Sequence, residues 1–183
     1  MPSLRPLYFA YGSNMSPRQM ARRCPGARAI GRASLAGWRF IINTRGAANI
    51  VPSRQTPAAY VAGVLWRIDV AHIVLLDQWE GVADGIYRRL LVTVVLPCGG
   101  RRLAFTYVDA RRWPGRPKPA YLEAAVLVGA RAFALPEAHV AAIEAFKPAR
   151  PIGGARRSYH GRRTRRRHKS KRLVNAVRRR SPL

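Results

Sequence analysis

Leu7-Tyr8-Phe9-Ala10-Tyr11-Gly12-Ser13-Asn14 is the stretch on which the fold reading turns. Residues 7–11 are apolar and aromatic, the composition of a buried strand. Gly12-Ser13-Asn14 then breaks the run with turn-forming residues. Ser16 is placed to cap a helix, with Pro17 at its first position and Gln19 three residues after the cap. That helix carries Met20 and Ala21 and stops at Cys24-Pro25-Gly26. The Gly-Ser-Asn turn therefore joins a strand end to a helix start, where unpaired backbone N–H groups gather and favour negative charge. Such a turn can hold a carboxylate or a developing oxyanion. A well-capped turn with no ligand reads equally well from these residues alone.

The next informative unit lies downstream. Tyr60 to Ile68 reads as a strand, Asp69 as a cap, and Ile73, Leu76 and Trp79 as the buried face of a helix that Gly81 ends. Glu80 then sits at the helix C-terminus, where the helix dipole disfavours a carboxylate. With Trp79 and Val82 beside it, its pKa is expected to rise, which suits a general base working near neutral pH. A solvent-facing glutamate is the competing reading. The chain has only 8 acidic residues. Asp69 serves as a cap, and Glu123, Glu137 and Glu144 fall on later helices. Asp77 and Asp84 stay open as alternatives to Glu80. His72 and His139 are isolated and read as helix-surface or core histidines. Gly-x-Ser-x-Gly is absent, and no Ser-His-Asp order can be assigned.

Strands are expected at 7–11, 29–43, 48–51, 60–68, 86–96 and 101–108, with Pro97-Cys98-Gly99-Gly100 as a hairpin turn. A Pro- and Arg-rich loop, 111–119, precedes helices at 119–132 and 136–147; it either covers a site or is a plain surface connection. This is an α+β pattern in one domain, expected over residues 1–147. No apolar run has signal-peptide or membrane-spanning character. Two unpatterned cysteines, Cys24 and Cys98, fit inert thiols in a reducing cytoplasm; with no CxxC and no His cluster, no zinc site is expected.

At Pro148 the composition changes. Arg150 to Leu183 contains 14 Lys or Arg and no acid, so the total of 34 − 8 = +26 leaves 20 − 8 = +12 on residues 1–149. Residues 148–183 are expected to be a basic tail, disordered on its own, with a short polyanion-induced helix over Lys169–Arg180. A charge of this size attracts nucleic acid or other polyanions without sequence preference. A nucleic-acid-binding protein is thus the rival reading, although the tail's lone aromatic, Tyr159, offers little for base stacking.

Phe9-Ala10-Tyr11-Gly12-Ser13-Asn14-Met15 resembles the signature of the γ-glutamylcyclotransferase family, of AIG2-like fold. Leu76-Asp77, Glu80-Gly81-Val82 and Gly85-Ile86-Tyr87 resemble its catalytic segment. Gly46-Ala47-Ala48-Asn49-Ile50-Val51-Pro52 is similar to its pocket-wall strand, and Pro119-Ala120-Tyr121, Gly129-Ala130 and Leu135-Pro136 to its C-terminal helical part. The resemblance spans roughly residues 7 to 147 in the right order. It implies a small mixed β-barrel with flanking helices and a central cavity. It implies Glu80 as the base, Phe9, Ala10, Tyr11, Gly12, Ser13 and Asn14 as substrate-binding residues, and Tyr121 as a site-lining residue. The implied reaction closes a γ-glutamyl group to 5-oxoproline by attack of the substrate's α-amine on its own γ-carbonyl. No cofactor and no protein nucleophile are called for. The leaving group, whether amino acid, amine or biosynthetic intermediate, stays open.

Overall fold

The computed structural model describes residues 5–56 and 58–147. The tail expected at 148–183 and its helix at Lys169–Arg180 lie outside the described residues. Strand β1 (Leu7–Ala10) runs into a 3-10 turn at Ser13–Met15 and then helix α1 (Pro17–Arg23). Ser16 caps α1 as its sequence predicts, its Oγ accepting from Gln19 N at 3.4 Å. Next come β2 (Arg28–Ala36), β3 (Trp38–Ile42), β4 (Ala48–Pro52) and β5 (Tyr60–Arg67). Helix α2 (Val70–Glu80) leads to β6 (Tyr87–Val95) and β7 (Arg101–Asp109), joined by the expected hairpin turn. The last part is helical: α3 (Pro119–Tyr121), a π-helical stretch at Leu122–Leu127, α4 (Val128–Ala132) and α5 (Glu137–Glu144).

Five strands close into a barrel in the order β1-β5-β2-β6-β7. The β1–β7 pair is parallel, through Tyr8 and Phe105, and the other pairs are antiparallel. The expected small mixed barrel with flanking helices is thus the fold of the described residues. Phe9, Val61, Val64, Leu65 and Val94 on its strands are fully buried.

The single strand expected at 29–43 is two strands in different sheets. Gly37 takes φ 77°, a left-handed turn open to glycine at little cost, and its N–H donates to Ala59 O. Beyond it β3 leaves the barrel and pairs with β4 in a separate two-stranded sheet. Residue-by-residue apolarity runs through the break, so the composition hides it. The Pro-rich loop is a connection: Gly115 N donates to Ile42 O at 2.7 Å and Pro114 bridges Asn43, tying it to the end of β3. Among the described residues no helix is long and apolar enough to cross a membrane.

Candidate active site

The site forms where the β1 end, its 3-10 turn and the C-terminal turn of α2 converge. His72, Leu76 and Glu80 follow one another at helical spacing on α2, and His72 and Leu76 are buried. Glu80 continues that row inward, its side chain 16% exposed. Trp79, expected on the buried face, is instead 59% exposed, because the row that meets the barrel is one residue out of step with Ile73 and Trp79. His72 is a capping residue: its Nδ1 accepts from Asp69 N at 3.2 Å.

Asn14 organises the turn around Glu80. Its Nδ2 donates to Tyr8 Oη at 2.9 Å and to Glu80 Oε1 at 3.0 Å. Its Oδ1 accepts from Gln19 Nε2 at 2.8 Å and from Arg23 Nη1 at 2.9 Å. Arg23 Nη1 also reaches Glu80 Oε1 at 3.2 Å. Both donors to Glu80 therefore meet Oε1, and Oε2 accepts from nothing among the described residues. Burial pushes the carboxyl above its ordinary 4.5, with Arg23 and Asn14 pulling the other way. Desolvation thus does what the helix end was expected to do.

Glu80 faces a small cavity of about 30 Å³, lined also by Gly12, Ser13, Asn14, Ala48 and five tyrosines. Burial raises the pKa of all five, so each is a neutral O–H donor. Three of those protons are committed: Tyr11 to Tyr107 O at 2.5 Å, Tyr87 to Ala48 O at 3.2 Å, and Tyr107 to Asp77 Oδ1 at 2.7 Å. The other two oxygens act as acceptors, Tyr8 from Asn14 and Tyr121 from Ala48 N at 3.2 Å. A hydroxyl that accepts keeps its own proton for a ligand. Gly12 has φ −112°, so its role is space: a Cβ there would stand 3.1 Å from Ala48 Cβ and 3.4 Å from Tyr121 Oη.

Of the residues expected to bind substrate, Tyr11, Gly12, Ser13, Asn14 and Tyr121 line this cavity together with Glu80. Phe9 and Ala10 lie in the buried strand beneath it and do not line it. Asp77 stands behind Tyr107 and pairs with Arg89 at 3.4 Å, while Asp84 is exposed in the loop after α2. Glu80 is the carboxylate that lines the cavity. The remaining buried acid, Asp109, is held by Asn43, Arg45 and Arg111 at the end of β7.

Comparison with known proteins fits this geometry. Residues 60–143, from β5 through most of α5, match the model of the AIG2-like family. The γ-glutamylcyclotransferases of Mus musculus and Homo sapiens are each 28% identical over 149 residues, covering 78% of this chain and 79% of theirs. A solved γ-glutamyl cyclotransferase structure superposes with a TM-score of 0.71 at 27% identity, covering 81% of this chain and 91% of its own. The chain is thus similar to the AIG2-like family over residues 60–143 and to γ-glutamylcyclotransferases over most of its length.

Tyr8, Gln19, Arg23 and Tyr107 join the site without having been singled out from the sequence as site residues. Gln19 and Arg23 stand four apart on α1, the spacing that puts both on one helical face toward Asn14. That spacing was readable; their partner Glu80, 57 residues on, was not. Tyr107 enters from β7 on the face opposite Thr106, whose Oγ1 donates to Phe9 O at 2.8 Å.

Proposed function

We propose that this chain cyclises γ-glutamyl compounds to 5-oxoproline with release of the attached amine. The observation that carries this reading is the asymmetry of Glu80: a buried carboxyl held on Oε1 by Asn14 and Arg23, with Oε2 left for a proton inside a tyrosine-lined cavity. In the proposed sequence Oε2 takes a proton from the substrate's α-ammonium. The freed nitrogen attacks the γ-carbonyl carbon, and a C–N bond forms as the carbonyl oxygen gains charge. Tyr8 and Tyr121 supply O–H donors to the developing oxyanion or to the α-carboxylate. Collapse of the tetrahedral centre breaks the bond to the leaving nitrogen, which receives the proton from Glu80. The ring nitrogen then gives its second proton to the freed Oε2, which passes it to the departing amine, so that the lactam and an ammonium product leave and Glu80 is ionised again.

The nucleophile belongs to the substrate, so the main service of the cavity is to fold a flexible γ-glutamyl arm into attack geometry. The raised pKa of Glu80 brings its basicity closer to the proton it must move. A cytoplasmic setting accompanies this proposal, supported by the free thiols of Cys24 and Cys98.

The test is direct. Full-length protein is incubated with γ-glutamyl dipeptides, γ-glutamyl amines and glutathione, and 5-oxoproline is quantified. Release from at least one class is expected. No release from any of them overturns the reading.

A further inference from the structure

A second cavity, about 340 Å³, opens on the far side of Gln19 and Arg23 from Glu80. Arg18, Arg22 and Trp79 form much of its wall, and among the described residues no acidic side chain lines it. We propose that it is the subsite for the leaving group, and that it selects leaving groups bearing more than one carboxylate. This rests on the cyclotransferase reading above and names the substrate class of the same site.

Size is the first reason. The cavity at Glu80 has room for roughly two waters, so a γ-glutamyl compound must extend beyond it. Between it and the larger cavity stand Asn14, which lines the first, and Gln19 and Arg23, which line the second and donate to Asn14 Oδ1.

Charge is the second reason. Arg18 and Arg22 stand four apart on α1 and are exposed, and neither has a salt-bridge partner among the described residues. Asp77, Asp109, Glu123 and Glu144 are paired with cations elsewhere in the fold, and Glu80 with Arg23 of this wall. Arg18, Arg22 and Arg23 against ionised Glu80 leave 3 − 1 = +2 at the wall. The γ-glutamyl unit brings one ammonium and one carboxylate, which cancel. The surplus is matched by a leaving group carrying two carboxylates, such as an acidic amino acid.

Trp79 is the third. A 59% exposed tryptophan presents a broad apolar face, and Arg23 Cζ stacks 4.8 Å from its ring centroid. The ring gives the methylenes of a leaving group a surface while Arg18 and Arg22 take its carboxylates, each a charge-assisted hydrogen bond.

The experiment compares kcat/KM for γ-glutamyl-L-glutamate, γ-glutamyl-L-alanine and γ-glutamyl-ethylamide, in the full chain and in the double variant Arg18→Ala/Arg22→Ala. Alanine suits both helical positions, so the fold is retained. The full chain should fall by roughly tenfold with each carboxylate removed, the worth of one hydrogen bond between charged groups. In the double variant the ratio of first to last substrate should collapse, chiefly through a higher KM for γ-glutamyl-L-glutamate. A full chain indifferent to these carboxylates, or a ratio that survives the double variant, overturns the subsite. So does a ratio that collapses in Arg45→Ala instead, which would put the leaving group on the opposite side. If no compound yields 5-oxoproline, the catalytic reading falls by itself. Calorimetric binding of γ-glutamyl-L-glutamate then decides the subsite: affinity lost in the double variant upholds it, and equal behaviour of the two proteins overturns it.

Discussion

Arg23 holds Glu80 by one oxygen only, its Nη1 3.2 Å from Oε1. The same nitrogen lies 2.9 Å from Asn14 Oδ1, and the guanidinium stacks on Trp79, so the contact is fixed from three sides. A cation in that place favours the ionised carboxylate, against the larger opposing effect of burial. Arg23 is thus a positioning residue that keeps the base usable. In Arg23→Gln the acid limb of the kcat/KM profile, which reports the base in the free enzyme, should move to higher pH. Lower activity with an unmoved limb would assign Arg23 a purely structural part.

Glu80→Gln keeps the shape of the side chain and removes its basicity. Turnover should drop by a factor on the order of 10²–10⁴, while exposed Asp84→Asn stays close to the parent. The reverse ranking would move the base to Asp84. The variant also reads stability. A carboxyl raised above 4.5 binds its proton more tightly folded than unfolded, so its contribution to stability is lost as pH rises through the folded pKa. Glutamine imitates the protonated form. Thermal melts of the two proteins should agree near pH 4, with the glutamine variant gaining as pH rises; a constant gap would contradict the assigned shift.

Tyr8 and Tyr121 should behave unlike Tyr11. Tyr8→Phe and Tyr121→Phe each remove a hydroxyl that donates to no acceptor among the described residues, and turnover should fall by about 10² per donor if the hydroxyl meets the oxyanion. Tyr11→Phe instead strips the donor from Tyr107 O, and its loss should show first in stability, by about 1 kcal/mol. Parallel melts and steady-state kinetics separate the two kinds of effect. Equal kinetic losses for all three variants would mean that the donor accounting fails.

Much of this site was legible because it is local. The strand–turn–helix at 7–24 follows from apolar residues meeting Gly12-Ser13-Asn14, a serine cap and Pro17, all within one helix turn of one another. Glu80 stood out through scarcity of acids and its place before Gly81. Its burial did not, because the row His72-Leu76-Glu80 carries a polar residue at each end and the apolar spacing of Ile73, Leu76 and Trp79 competes with it. The ring of tyrosines was illegible for another reason. Tyr121 was expected through the family resemblance, but Tyr8, Tyr87 and Tyr107 come from three strands that meet only when the barrel closes, and closure rests on long-range pairs such as Tyr8 with Phe105.

Gly12→Val probes space at the turn. Ala48 Cβ and Tyr121 Oη already lie within van der Waals reach of a methyl group there, and valine adds two more carbons. KM should rise steeply, and stability should fall by roughly 1–3 kcal/mol. Gly12→Ala should fall between parent and valine on both measures. A valine variant with parental kinetics would remove the turn from the substrate's path.

The basic tail is separable in the proposed scheme. All of the site residues precede Pro148, and Lys147 already pairs with Glu123 at 2.8 Å and Glu144 at 3.2 Å within the domain. A chain ending at Lys147 should therefore keep its melting transition and its release of 5-oxoproline. It drops from +26 to 20 − 8 = +12. The full chain should bind DNA or RNA with little sequence preference and a steep salt dependence, because binding of this kind releases counterions from phosphates. The shortened chain should bind less and show a flatter slope of log K against log salt. Two measurements on two chains suffice: 5-oxoproline release, and nucleic-acid binding across a salt series. Catalysis lost without unfolding would place the tail in the site. Selective binding of one sequence, with no γ-glutamyl compound cyclised by either chain, would instead make this a nucleic-acid-binding protein built on a cyclotransferase barrel.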